Sequence, residues 1–156
     1  MQKSPESQLN SFIDKYTPEV GAVARAALAK MRACVPGALL LVYDNYNALA
    51  IGFGPTERAS DILFSIALYP RWVSLFFMDG VNLPDPHRLL KGGGKGIRHI
   101  VLEDAATLDK PQIRALITHA LKLEGWSLEN GKAGRIIIKS ISAKQRPRRP
   151  AKKTSR

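Results

Sequence analysis

The stretch Leu89-Leu90-Lys91-Gly92-Gly93-Gly94-Lys95-Gly96-Ile97-Arg98 sets four glycines among three cations. Successive glycine amides can curl into a nest that holds an anion, and neighbouring cations supply the countercharge. Gly92, Gly93, Gly94, Lys95 and Arg98 are therefore candidate ligands for a phosphate or a small carboxylate. Two standard nucleotide motifs are excluded. A P-loop needs a hydroxyl residue after its Gly-Lys, where Gly96 stands, and an earlier glycine, where Leu89 stands. The dinucleotide fingerprint needs glycine where Ile97 stands. Both motifs also run from strand into helix, whereas this stretch leads into an apolar, strand-like run. The competing role is structural: glycines turn the chain at positive φ, with Lys95 and Arg98 pairing with Asp85 or a helix C-terminus.

Other reactive side chains form no recognisable set. His87, His99 and His119 show no i, i+4 pairing. His99 and Glu103 share a strand face, but zinc takes three or four ligands. Cys34 is the only cysteine, which leaves no internal disulfide and no cysteine cluster for a metal. It lies near the end of an expected helix, where the dipole disfavours a thiolate. No G-x-S-x-G elbow is present. Asp79, Asp85, Glu103 and Asp104 have no spacing that pairs them for acid–base work. No catalytic residue is assigned.

Charge is the strongest remaining signal. The net charge is +11, and eight of the 24 basic residues lie from Lys139 onward with no acid among them. Met1–Ile138 holds the other 16 against 13 acids, a net +3. The basicity thus belongs mainly to the C-terminal segment. Lys144-Gln145-Arg146-Pro147-Arg148-Arg149-Pro150 has too little apolar content to fold by itself. Residues 142–156 are expected to be a disordered basic tail after a single domain spanning 1–141. Lys144, Arg146, Arg148, Arg149, Lys152 and Lys153 are its candidate nucleic-acid contacts, without sequence preference.

The elements that must position these groups follow from periodicity. A chain of 156 residues with 45% apolar content is one ordinary domain. Leu9, Phe12, Ile13 and Tyr16 recur at helical spacing, and Thr17-Pro18-Glu19 starts a second helix. Leu39–Tyr43 and Ala48–Phe53 read as a hairpin across Asp44-Asn45-Tyr46-Asn47. Ile62–Leu68, Trp72–Met78 and Ile97–Leu102 are three further strands. Asp109 is expected to cap a helix carrying Ile113, Leu116, Ile117, Ala120 and Leu121, which Gly125 stops. Arg135–Ile141 is a last strand. Short connections favour antiparallel pairing. The expectation is an α+β fold: a mainly antiparallel sheet of five to six strands, with N- and C-terminal helices on one face.

Alternation sets Val73, Leu75 and Phe77 on one face of their strand, and Trp72, Phe76 and Met78 on the other. Both faces are apolar, so a face left uncovered by helices is a candidate homodimer interface or binding surface. The start, MQKSPESQLN, lacks the apolar core of a secretory signal, and no run reaches membrane-helix length. A cytoplasmic protein without a membrane partner is expected.

The stretch LPDPHRLLKGGGKGIRHI resembles the YdhG-like family, a domain of unknown function. The pattern is carried by Asp85-Pro86, Leu89-Leu90, Gly92-Gly93-Gly94-Lys95 and Arg98. LYPRWVSLFFMDG is similar to the family's core strands and YTPEV to its usual helix start, so the resemblance covers most of the chain. It implies a frataxin-like α/β sandwich and, for some members, an iron-chaperone role. Frataxin-type iron binding relies on an acidic ridge near the first helix. Here Glu6, Asp14 and Glu19 are diluted by Lys15, Arg25, Lys30 and Arg32, and hard iron sites want clustered oxygen ligands. The expected function is a non-enzymatic binding or chaperone-like module, with a small anion as candidate ligand and iron as a cofactor implied by resemblance alone. The alternatives are a nucleic-acid-associated protein acting through its tail, and an enzyme whose site the sequence does not reveal.

Overall fold

Two hydroxyl–proline pairs start the N-terminal helices. In the computed structural model, which describes residues 3–125 and 134–151, the Ser4 side chain accepts the Ser7 amide at the head of α1 (Pro5–Ile13). Thr17 accepts the Val20 amide at the head of α2 (Pro18–Cys34). Proline follows each cap, where its missing N–H costs no helix hydrogen bond. The chain then runs through β1 (Leu39–Asp44), β2 (Leu49–Gly54), β3 (Phe64–Leu68), β4 (Val73–Phe77) and β5 (Arg98–Leu102), each antiparallel to the strand before it. α3 (Pro111–Leu123) and β6 (Ile136–Ile141) complete it.

The fold is α+β, but its six-stranded sheet is mixed, in the order β5-β4-β3-β2-β1-β6. Four of the five pairings are antiparallel, and the correction is confined to β6, which pairs parallel with β1 and shifts register between Val42 and Tyr43. The physical reason is the long connection: a chain that passes through α3 can return in the direction of β1, as parallel pairing requires.

A second correction concerns the start of α3. Asp109 does not cap it. Asp109 ends a short 3-10 turn (Ala105–Asp109), and Lys110 precedes the helix with no side-chain cap bond. Pro111, fixed in φ, sets the first turn instead. The Asp109 carboxylate pairs with Lys30 on α2 at 2.7 Å and Arg114 on α3 at 3.2 Å, and hydrogen bonds from both hold its pKa below the usual carboxylate value.

Register decides which side chains meet. Leu40, Ile51, Ile66, Leu75 and Ile100 lie on one face with their neighbours Val42, Phe53, Phe64, Phe77 and Leu102. These pack with Phe12, Ile13, Ala24, Leu28, Met31, Leu116 and Ile117 into one core. The buried apolar side chains of all three helices belong to that core.

Tyr16 ties the helical layer to the sheet. Its hydroxyl donates to the Leu68 carbonyl at 3.0 Å and accepts the Leu49 amide at 3.1 Å. Burial raises its pKa, partly opposed by the nearby Arg148 charge. Because the folded state keeps this proton more tightly than the unfolded state, the associated stability is complete below the unfolded value of about 10. It is lost as pH rises through the higher folded value. Tyr16→Phe is expected to remove that alkaline loss and to cost about 1–3 kcal/mol at neutral pH, as read from urea unfolding repeated at increasing pH.

Candidate binding surface

The glycine stretch is a closed excursion. Lys91 and His99 exchange backbone hydrogen bonds of 2.8 and 2.9 Å, which pinch the loop between them. Gly92 and Gly94 have φ of 115° and 97°, a region that favours glycine. Arg98 turns inward on the loop: its guanidinium donates to the carbonyls of Ile97 at 2.8 Å and Gly94 at 3.2 Å. Asp85 partners neither Lys95 nor Arg98. Its two carboxylate oxygens accept the amides of Leu89 and Leu90, each at 2.9 Å. The candidate anion ligands therefore share one loop, with Lys95 and Gly93 exposed and Arg98 bonded to loop carbonyls. Arg98→Ala is expected to lower stability by about 1 kcal/mol, and Lys95→Ala to leave it unchanged, in chemical denaturation. An equal response of the two variants would contradict this division of roles.

The basic segment departs most from expectation. Residues 142–151 are placed against the body. Arg148 is 6% exposed and Asp44 fully buried. Arg148 meets one Asp44 oxygen at 2.8 Å, and Lys15 meets the other at 2.8 Å. Arg148 also donates to the carbonyls of Asn45 and Tyr46, and its guanidinium lies over the Tyr16 ring. Gln145 donates to the Asp44 carbonyl and accepts from Lys15, while Arg149 donates to the carbonyls of Lys15 and Asp14. The segment thus straps the α1–α2 turn to the β1–β2 turn. Composition argued for disorder because little here is apolar. The anchor is instead one desolvated charge pair, to which apolar content is blind. Of the candidate nucleic-acid contacts, Lys144 and Arg146 are exposed, Arg148 is buried, and Arg149 is exposed with its guanidinium bonded to backbone carbonyls. Lys152 and Lys153 lie outside the described residues.

The sheet face away from the core is built differently. Its centre is small: Ala50 and Gly52 on β2, Ser65 and Ala67 on β3, Ser74 on β4. Larger groups stand around it. Tyr46, Tyr69, Phe76, Met78 and Ile97 line, with Ala50, Ser65 and Ala67, a concavity of about 540 Å³. Tyr69 and Trp72 stack with centroids 4.8 Å apart, and Phe76 lies against His99 at 5.1 Å. Tyr46 is 49% exposed and Trp72 44%. Ile62 covers the far end, where a Cβ on Gly52 would collide with it. Alternation along Trp72–Met78 therefore falls as the sequence suggests, with Val73, Leu75 and Phe77 in the core and Trp72 on the other side.

Sequence spacing gave no reason to join His87 and His119, yet both line one cleft between the 84–89 segment and α3. Only the tertiary approach of that segment to the helix brings them together. Iron, implied by the family resemblance, finds a poor donor set in the first helices. Asp14 pairs with Arg25 at 2.6 Å, and Glu6 lies 3.6 Å from Arg32. Among the described residues, no three of His, Cys, Asp and Glu are grouped to hold a metal ion, and no helix is long and apolar enough to cross a membrane.

No family model, curated protein or solved structure matches the chain.

Proposed function

We propose that the chain is a non-enzymatic binding module of the YdhG-like kind, and that its ligand surface is the sheet face opposite the helices. The observation that carries this reading is the concavity floored by Ala50, Ser65 and Ala67, with half-exposed aromatics at its rim. Small residues leave room above the strands, and an apolar rim unfilled by helix side chains is available to a partner. The motif residues of the 85–98 loop are largely engaged in shaping that loop: Asp85 takes two amides and Arg98 two carbonyls. Their bonds are spent within the loop rather than offered to a ligand.

The test is a thermal-shift screen of the full chain against phosphate, nucleotides, small carboxylates, anaerobic ferrous iron and oligonucleotides. A ligand at about 100 times its dissociation constant adds roughly 2.7 kcal/mol. A shift that Ser65→Arg abolishes and Lys95→Ala preserves supports the sheet face. A shift that survives Ser65→Arg and is lost in Lys95→Ala assigns binding to the glycine loop and overturns the reading.

A further inference from the structure

At its turn end, the face opposite the helices joins flat aromatic rings to exposed positive charge. The β1–β2 and β3–β4 turns lie at the same end of the sheet, which brings Tyr46 and Trp72 to that end. Roughly two strand spacings, about 10 Å, separate the two turns. Trp72 is held by its stack on Tyr69, and Tyr46 has the Arg146 guanidinium 5.6 Å from its ring centre. Arg71 stands exposed in the turn between Tyr69 and Trp72, and Lys144 is exposed on the strap. The helical side differs. There Lys15 and Arg148 meet Asp44, Arg25 meets Asp14, Arg32 meets Glu6, and Lys30 and Arg114 meet Asp109. Acids adjoining the open face along the chain are Asp79, next to Met78, Glu103, just beyond β5, and Glu57 and Asp61 in the connection over Gly52. None of them forms an ion pair with Arg71, Lys144 or Arg146 among the described residues.

We infer that this face binds single-stranded nucleic acid, with unpaired bases stacked on Tyr46 and Trp72 and backbone phosphates met by Arg71, Lys144 and Arg146. The inference rests on the sheet face being the ligand surface. Unpaired bases offer apolar faces to aromatic rings, and a cationic border tracks their backbone. A duplex hides those faces in its own stack. A second copy of this chain would bring Arg71 and Arg146 against the same positive border, which opposes pairing. A small anion would leave the rings without a role.

The test uses the full chain and fluorescence anisotropy with labelled oligo(U), oligo(dT) and a mixed-sequence duplex of equal length. The expected result is tighter binding of the single strands. Trp72→Ala and Tyr46→Ala should each weaken that binding about tenfold without changing its salt dependence, whereas Arg71→Ala should flatten the salt dependence. Equal affinity for duplex, with no effect of the aromatic variants, overturns the inference in favour of plain electrostatic attachment. Absence of binding, together with a dimer by light scattering that Trp72→Arg dissociates, overturns it while leaving the face a binding surface. Absence of both results overturns the inference and the reading beneath it.

Discussion

Arg148→Ala is expected to lower the unfolding free energy by about 3 kcal/mol, near the bottom of the range for breaking a buried ion pair. Asp44 is fully buried, and its remaining partner Lys15 has a side chain 40% exposed to water. Loss of the guanidinium leaves a carboxylate in a desolvated place with half its compensation. The same substitution frees the Asn45 carbonyl, leaves the Tyr46 carbonyl with the Arg146 amide alone, and uncovers the Tyr16 ring. For a domain of this size the loss corresponds to roughly 6–12 °C in Tm. A chain ending at Ile141 lacks Gln145, Arg148 and Arg149 together and should fall at least as far. The double variant Asp44→Asn with Arg148→Met should recover much of the loss, because an unpaired charge is worse than no charge. A change below about 0.5 kcal/mol in Arg148→Ala, typical of an ordinary surface site, would show that the strap contributes nothing to the fold.

The second large effect separates two neighbours in the chain. Phe77 is 1% exposed and meets Phe64 edge to face, with centroids 5.6 Å apart. Phe77→Ala empties a site that the register locks between β3 and β5, at an expected cost of about 3–5 kcal/mol. Phe76 points to the opposite face, half-buried beside His99. Phe76→Ala should cost about 1 kcal/mol or less, since water can reach the gap. Urea denaturation of the two variants reads the difference directly. Similar losses would mean that the second face is packed as tightly as the first, and the binding-surface reading would fall with that result.

Local chemistry made much of the fold legible. Thr17-Pro18 marks the start of α2 because cap and proline act within one turn, and alternation from Trp72 to Met78 sorts the two sheet faces because side chains must alternate. What the sequence concealed depends on distant partners. Asp109 satisfies the rule for a helix cap, yet Lys30 and Arg114 claim its carboxylate and Pro111 moves the helix start. β6 carries no mark of its direction, which follows from the path through α3. Arg148 looks like any cation in a basic run until Asp44, 104 residues earlier, appears beside it. The candidate surface was half visible. The apolar second face of β4 showed in alternation, whereas the small floor of Ala50, Ser65 and Ala67 needed the register of three strands.

The strap has a consequence for the order of assembly. During synthesis Asp44 on β1 emerges 104 residues ahead of Arg148 and its neighbours. Until they arrive, Asp44 has only Lys15 for countercharge, and β1 lacks β6 along one edge. Contacts so far apart in sequence form only after the intervening chain has been ordered. The nascent domain therefore passes through a stage with an open strand edge and an under-compensated carboxylate, both features of species that associate wrongly. Closing the strap ends that stage, so the last described residues act as a latch on work done by the first.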